Sequence, residues 1–90
     1  MANLVQMDTS LGFQTAEQFR QASDDVQSVI NRIDAQVNQL DATWKGTSEV
    51  RFMSEYAAWK NDMHRFVQLL NDISTRVRKE TQEIVDADSA

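Results

Sequence analysis

Apolar side chains recur every three or four residues along two long stretches of the chain, which a short interruption near the midpoint separates. In the second stretch the spacing alternates between four and three residues, through Phe52, Tyr56, Trp59, Met63, Phe66, Leu70, Ile73 and Val77. This spacing places the side chains on one stripe of an α-helix and matches the a/d repeat of packed helices. It predicts a helix over about residues 48–84. Because Glu80 interrupts the repeat, we expect fraying between Thr81 and Val85 and a flexible tail beyond.

The first stretch predicts a second long helix, over about residues 9–43. The stripe consists of Phe19, Ala22, Val26, Val29, Ile33, Val37 (or Gln36), Leu40 and Trp44. Two starts are compatible with the local signals, since Asp8 is a suitable N-cap and Thr15 with Gln18 has capping-box spacing. The later start would leave Gly12 outside the helix. We favour the earlier start, with a loose tail before it and a frayed first turn.

The interruption carries the signals of a tight helical turn. Trp44 has a large apolar body with one N–H donor, and Gly46 tolerates the positive φ that lets a chain reverse after a helix. Thr47 or Ser48 is a suitable cap for the next helix, and Glu49 is an anion placed in its first turn. The sequence therefore predicts a turn at about residues 44–47 between two antiparallel helices.

The apolar stripes are too wide for one hairpin to cover. Met53, Ala57, Val67 and Val85 broaden the second stripe, which indicates contact with more than one neighbouring helix. A 90-residue chain has little core with which to offset its conformational entropy. We therefore predict a single all-α domain over 1–90, a helix-turn-helix hairpin that dimerises into an antiparallel four-helix bundle. Its core and dimer contacts would be Phe19, Val26, Ile33 and Leu40, with the eight residues named for the second helix.

Composition narrows the range of functions. The net charge of -5 disfavours nucleic acid as a partner, because a phosphate backbone requires a surplus of Lys and Arg on one face. The absence of cysteine excludes disulfides and thiolate metal sites, and no apolar run has the roughly 18 residues of a membrane span. The first residues have neither the basic nor the apolar region of a secretory leader, so any export would use another route.

Candidate chemical groups favour a non-enzyme. His64 is the only histidine and has no nucleophile or metal-ligand cluster around it in the sequence, so we interpret it as a surface helix residue. Asp24 and Asp25 point about 100° apart on a helix and so do not converge. A basic cluster near the C-terminus consists of Arg76, Arg78 and Lys79. These positive charges would interact favourably with the C-terminal end of the helix dipole and pair with Glu80 or Glu83. The alternative is that they bind a partner. We predict no metal and no cofactor.

Trp44 has two interpretations, packing at the turn or presentation of its indole to a partner. In an antiparallel four-helix dimer, each hairpin tip lies near the other chain's termini. Trp44 of one protomer and the C-terminal tail of the other would then form one composite surface. This hypothesis predicts that Trp44→Ala weakens partner recognition more than it lowers helicity.

With its central Trp44-Lys45-Gly46 between two amphipathic helices, the chain resembles the WXG family of small proteins exported by type VII (ESX or Ess) secretion systems. Phe52 and Trp59 lie where family members commonly carry an aromatic and a bulky residue. The resemblance implies a hairpin that forms homo- or heterodimers and leaves the cytoplasm folded, without a cleaved signal peptide, through a machine with an FtsK/SpoIIIE-like ATPase. It also assigns Trp44 and Gly46 to a motif that acts with a partner's C-terminal Tyr-Xaa-Xaa-Xaa-Asp/Glu signal.

This chain departs from the family at that tail signal. Its only tyrosine is Tyr56, in mid-helix with Lys60 four residues later. A partner would supply the signal, or a degenerate one lies around Glu80 to Asp88. The function implied is that of a small secreted substrate or co-secreted adaptor that pairs with itself or a paralogue. The alternatives are an intracellular chaperone or targeting partner of a larger effector or toxin, and a plain dimerisation module. A neighbouring gene for the ATPase or for a large toxin would separate them.

Overall fold

Two antiparallel helices form the molecule. The computed structural model describes residues 6–89, apart from the side chain of residue 89. Helix α1 spans Thr9–Thr43 and helix α2 spans Thr47–Ser89. They pack side by side into a rod of 70 × 20 × 14 Å. The all-α hairpin expected from the apolar spacing is confirmed.

The start of α1 agrees with the earlier of the two expected starts. The Asp8 side chain accepts a hydrogen bond from the backbone N–H of Leu11 at 2.9 Å, and its carbonyl accepts one from Gly12 at 2.8 Å. These bonds satisfy N–H groups that a helix start leaves without partners. Gly12 therefore lies inside the helix, whose first turn is formed and capped. Of the expected N-terminal tail, residues 1–5 lie outside the described residues.

The end of α2 differs from the sequence expectation. The helix continues to Ser89, where the sequence predicted fraying from Thr81 and a flexible tail after residue 85. Thr81 is fully buried, and Gln82 donates to Asp86 at 2.9 Å one turn later. The interruption at Glu80 does not weaken the helix because a neighbouring position, Thr81, is the one that packs on α1.

Small and polar side chains close the hairpin. We call these buried residues the inner seam: Gly12, Ala16, Ser23 and Ile30 of α1, with Tyr56, Leu70, Ser74 and Thr81 of α2. Ser74 Oγ donates to the Ala16 carbonyl at 2.6 Å, and Ser23 Oγ donates to the Val67 carbonyl at 3.2 Å. Hydroxyl-to-backbone bonds between helices require the two axes to approach closely, which small residues permit. The apolar stripes did not reveal these positions.

A polar triad of Asp34, Tyr56 and Lys60 joins the two helices about midway along the hairpin. Asp34 Oδ1 accepts hydrogen bonds from the Tyr56 hydroxyl at 3.0 Å and from Lys60 Nζ at 2.8 Å. These bonds, first that from Lys60, hold the pKa of Asp34 below its ordinary value, and Asp34 in turn raises the pKa of Lys60. Burial, with the Asp34 bond, raises the pKa of Tyr56. A shift of one helix along the other would separate this carboxylate from both donors, so the triad sets the register.

Candidate association surface and hairpin tip

Two rows of large side chains form what we call the apolar face: Phe19, Val26, Ile33 and Leu40 of α1, and Phe52, Trp59, Phe66 and Ile73 of α2. Consecutive members of a row are seven residues apart. Four of these side chains are half-buried, and the other four are exposed, with 39% for Ile33, 48% for Leu40, 52% for Trp59 and 50% for Phe66. An exposed apolar surface of this length is a mark of an interaction site in a water-soluble protein.

Both rows lie on the same side of the hairpin. Phe19 follows the seam residue Ala16 by three positions, and Trp59 follows the seam residue Tyr56 by three. Three residues turn a helix by about 300°, so each side chain lies about 60° from its seam residue, in the same sense about each helix axis. Because the axes are antiparallel, this rotation carries both rows to one side. A shallow depression of about 170 Å³ on this side is lined by Phe19, Ala22 and Leu70, together with Gln18.

Charged pairs occupy the opposite side of the rod. Arg78 reaches across from α2 to Glu17 of α1 at 3.4 Å, and Arg20 pairs with Asp24 at 2.8 Å. Bonds from Arg20 and the charge of Arg78 hold the pKa of Glu17 below its ordinary value. The hairpin therefore presents one apolar face and one ion-paired side.

The residues expected to form the core and the dimer contacts separate into two groups. Tyr56 and Leu70 belong to the inner seam, whereas Ile33, Leu40, Trp59 and Phe66 are exposed. The remaining six are half-buried: Phe19, Val26, Phe52, Met63, Ile73 and Val77. The hairpin alone covers only part of the apolar stripes, and contact of the exposed part with a second chain stays a prediction.

At the tip, Trp44 folds back onto the start of α2. Its backbone is extended, which ends α1, and Gly46 then takes a φ of 121° that reverses the chain. The indole Nε1 donates to Ser48 Oγ at 3.2 Å, and the ring centroid lies 5.3 Å from that of Phe52. Trp44 is half-buried, so one part of the indole is held by the chain and the rest is open to solvent.

The hydroxyl of Ser48 binds the Trp44 indole, and Ser48 is not the N-cap of α2. The sequence predicted Thr47 or Ser48 before the helix, but α2 already begins at Thr47. Gly46 precedes it, and the Gly46 carbonyl accepts from the Val50 N–H at 3.3 Å. The chain turns one residue early because Gly46 provides the positive φ, and the Ser48 hydroxyl is then free to bind the indole.

Phe52 joins the tip to the apolar face. Its ring contacts Trp44 and also lies 6.1 Å from the Tyr56 ring and 6.3 Å from the Trp59 ring. These distances are within the range of favourable aromatic pairs. The exposed indole of Trp44 therefore belongs to a surface continuous with Trp59.

Two carboxyl groups meet beneath the tip, one from each helix. Asp41 Oδ1 is buried and has no hydrogen-bond partner among the described residues. The Asp41 carboxyl beside it, then burial, raises the pKa of Glu49, and the positive charge of Lys45 opposes that rise. The negative charge of Glu49 is favourable at the N-terminal end of the α2 dipole and unfavourable beside the Asp41 carboxyl. Protonation of Glu49 therefore changes the stability of the tip.

The other candidate groups show no chemical site. The basic cluster is ion-paired: Arg76 with Glu80 at 3.1 Å, Lys79 with Glu83 at 4.0 Å, and Arg78 with Glu17. His64 is half-buried, and no set of possible metal ligands occurs within residues 6–89. Neither described helix has a segment long and apolar enough to cross a membrane.

Solved structures of similar shape include two of EsxB and one of EsxA. The secreted protein EsxB of Bacillus anthracis superposes with a TM-score of 0.83 at 26% identity, covering 98% of this chain and 99% of that one. A second crystal form of EsxB gives 0.81 at 25% identity, over 88% and 85%. EsxA of Geobacillus thermodenitrificans gives 0.81 at 22% identity, over 99% and 96%, and supports the fold alone. A comparison with curated protein sequences finds no match.

The family model described as proteins of 100 residues with WXG matches residues 5–89. The match includes the Trp44–Gly46 turn, both helices and the whole apolar face. The chain therefore belongs to the WXG100 family.

Proposed function

We propose that this protein is a small substrate or co-secreted adaptor of a type VII secretion system, and that it acts as a hairpin paired with a second hairpin through the apolar face. The observation that carries the proposal is the exposure of Trp59 and Phe66 on a chain of the WXG100 family. Covering these rings removes large apolar areas from water, at about 25 cal/mol per Å². The EsxB of Bacillus anthracis, described as secreted, has the same hairpin.

The tip supports a role in recognition. Trp44 is already held by Ser48 and Phe52, so its exposed part needs little further ordering when a partner binds. Binding by an ordered side chain costs less conformational entropy than binding by a mobile one. We infer that Trp44 and Gly46 form the part of the export motif that this chain contributes, with the system's ATPase as a partner.

One observation favours a second function, that of an intracellular chaperone or targeting partner for a larger effector. Tyr56 is 7% exposed and bonded to Asp34, so it does not stand in for a tail tyrosine. A larger effector paired with the apolar face would then supply the tail signal. In this version the small chain stays in the cytoplasm or leaves only with the effector.

Export and association are tested together in the encoding organism. An epitope-tagged chain is followed in cells and in culture medium, with and without the FtsK-like ATPase. We expect the chain in the medium only when the ATPase is present. Equal amounts in the medium without the ATPase would reject export by this route, and retention in the cell with a bound effector would support the chaperone function.

A matched pair of variants tests the apolar face. Phe66→Glu places a charge in the centre of the face, whereas Gln68→Glu adds the same charge at an exposed position away from it. We expect Phe66→Glu to abolish both pairing and export and Gln68→Glu to preserve both. Equal export of the two variants would show that the face is not required.

A further inference from the structure

We propose that Met7 is an oxidation site: a peroxide converts its thioether to the sulfoxide, and the sulfoxide releases the N-terminal segment from the end of α2. We call the contact of Met7 with Gly12 and Thr81 the clasp. It lies at the end of the rod away from the tip. The inference goes beyond the proposed function and does not depend on it.

The sulfur of Met7 lies in a notch between the two helices. It is 2.9 Å from the point where a Cβ on Gly12 would stand, and 3.4 Å from Thr81 Oγ1. A glycine at position 12 leaves this room because it has no side chain. Methionine is flexible and apolar, and so fills irregular gaps of this kind. Met7 therefore covers a point at which the two helices approach closely.

The clasp is open to solvent on its outer side. Met7 is 38% exposed, whereas Met53 and Met63, the other methionines of residues 6–89, are half-buried. An open depression of about 500 Å³ beside the clasp is lined by Gln6, Met7, Asp8, Ile84 and Asp88. Susceptibility to oxidation follows exposure. Met7 is therefore the methionine of this part of the chain that a small oxidant modifies first.

The reaction is a two-electron oxygen transfer from hydrogen peroxide. A lone pair of the Met7 sulfur attacks one peroxide oxygen, and the S–O bond forms as the O–O bond breaks. The sulfur loses two electrons, and the departing oxygen is reduced and leaves as water with both peroxide protons. The step consumes no other group of the protein, so access to the sulfur decides where it occurs.

The reduced clasp contains groups that are apolar or already paired. A thioether is a weak acceptor, so the Met7 sulfur needs no donor when it is covered. The Thr81 hydroxyl has one proton, which the Val77 carbonyl accepts at 2.7 Å. The backbone N–H of Gly12 is bonded to the Asp8 carbonyl at 2.8 Å. The notch therefore suits a thioether and has no spare donor for a stronger acceptor among these groups.

The sulfoxide does not suit this notch. Its oxygen makes the side chain polar, and a polar group without a hydrogen bond is costly to bury. To donate to it, Thr81 would give up the bond to the Val77 carbonyl. The sulfur and Thr81 Oγ1 are already in contact at 3.4 Å, so an oxygen inserted between them pushes Met7 outward. The oxygen therefore turns to water, and the Met7 side chain leaves the notch with it.

Release of Met7 reaches the end of α2. Among residues 6–88, Thr81 is the last buried one, and the helix continues to Ser89. Once Met7 has left, water reaches Thr81, and the turns after it lose packing that holds them to α1. We expect residues 82–89 to fray and the first turn of α1 to open more often. One oxygen atom causes this change, and methionine sulfoxide reductases reverse it.

The test compares two full-length variants that differ only at Met7. Met53→Leu/Met63→Leu leaves Met7 as the one methionine of residues 6–89, and adding Met7→Leu removes it while keeping an apolar side chain. Both are treated with hydrogen peroxide at one protein concentration, and tandem mass spectrometry follows each methionine. We expect full oxidation to lower the melting temperature by about 4 °C with Met7 present and by less than about 1 °C without it. Sulfoxide reductases should restore the loss.

Measurements on the native chain keep the proposal testable if the leucine variants fold poorly. Peroxide should modify Met7 about threefold faster than Met53 or Met63. Hydrogen exchange of the Gly12 amide should become about tenfold faster after oxidation, and that of the Val50 amide near the tip should not change. Met7→Gln places a polar group at the notch without any oxidant and should reproduce the faster exchange at Gly12.

Three results would each overturn the proposal. The first is an equal loss of melting temperature in the variants with and without Met7. The second is oxidation of Met7 no faster than that of Met53 and Met63. The third is full oxidation of Met7 that changes neither the melting temperature nor exchange at Gly12. None of these results bears on ATPase-dependent export or on pairing through the apolar face.

Discussion

The inner seam and the apolar face differ in the size of their side chains, although both follow seven-residue spacing on the same helices. The seam contains Gly12, Ala16 and Ser74, whereas the face contains Trp59 and Phe66. Small residues let two helices approach closely enough for hydroxyls to bond to backbone carbonyls. Large residues leave wide, exposed surface that two helices do not cover. The difference teaches that the hairpin closes through backbone proximity, and that the large side chains left exposed are the surface we propose for association.

The largest expected effect comes from a comparison of Ile30 in the inner seam with Ile33 on the apolar face, three residues further along α1. Ile30 is 1% exposed in the seam and Ile33 is 39% exposed on the face. Ile30→Ala leaves a cavity, so we expect a loss of about 2–4 kcal/mol in the free energy of unfolding. Ile33→Ala should cost the single hairpin less than about 1 kcal/mol and instead weaken the dimer. Urea unfolding at several protein concentrations measures both, and equal losses in the two variants would contradict the division into seam and face.

The close approach of Gly12 to Thr81, at the end of the rod away from the tip, gives the next largest expected effect on stability. A Cβ added at Gly12 would collide with the Thr81 hydroxyl and lie 2.9 Å from Thr81 Cγ2. Gly12→Ala should therefore destabilise the hairpin by about 1–2 kcal/mol despite the higher helix propensity of Ala. Adding Thr81→Ala removes the two Thr81 atoms and leaves Met7 Sδ, the end of a flexible side chain, 2.9 Å from the added Cβ, so most of the loss should be recovered. Thermal unfolding of both single variants and the double variant checks the coupling, and additive effects would show that the helices are not tightly packed there.

The tip aromatic has a smaller effect on stability. Trp44→Ala removes the ring contact with Phe52 and the bond to Ser48, for which we expect a loss of about 1 kcal/mol. Trp44→Phe keeps a ring over Phe52 and should lose less. Binding to the secretion ATPase or another partner should fall more than helicity does in Trp44→Ala. If partner binding by Trp44→Ala equals that of the native chain, Trp44 is a packing residue alone.

Acid should act in opposite directions on the triad and on the tip. The pKa of Asp34 is lowered by folding, so its stabilisation is present above the unfolded pKa of about 3.9 and is lost as pH falls through the folded value. The pKa of Glu49 is raised by folding, so its stabilisation is present below the unfolded pKa and is lost as pH rises through the folded value. Asp34→Asn should thus lower the melting temperature at pH 7 much more than at pH 2.

Glu49→Gln tests the tip side of this contrast and has the smallest expected effect. The glutamine amide is able to donate to Asp41 Oδ1 without a proton from solvent, so we expect a slightly higher melting temperature at pH 7 and no difference at pH 3. Glu55→Gln is the control, since it removes an exposed carboxylate from the same helix. A similar gain in both variants would assign the effect to net charge.

The helices and the turn were predictable because their signals are local. Spacing of apolar residues such as Phe66 and Leu70 reports a helix stripe, and Asp8 and Gly46 have side-chain or backbone properties that specify a start and a reversal. The division of the stripe was not predictable from hydrophobicity. Gly12, Ser23 and Ser74 carry little apolar area, and only the seven-residue spacing of Ser23 from Ala16 and of Ser74 from Thr81 indicates a seam.

The polar contacts depend on which residues of two helices lie level. The role of Asp34 was not predictable, because nothing near it in sequence shows that Tyr56 and Lys60 face it. The extension of α2 was not predicted for the same reason: the Thr81 side chain packs against Gly12, a residue remote in sequence. Spacing predicts which face of a helix is apolar, and pairing between helices decides which polar residues are buried.

Sedimentation equilibrium of the purified full chain tests the central claim most directly, over a range of concentrations from about 1 µM to 1 mM. The account predicts a mass of two hairpins, for the chain alone at the upper concentrations or for its mixture with a WXG100-family paralogue of the same organism, with Phe66→Glu remaining at the mass of one chain. A native chain that stays helical and monomeric at every concentration, both alone and in that mixture, would contradict the claim that the large side chains of the face serve association.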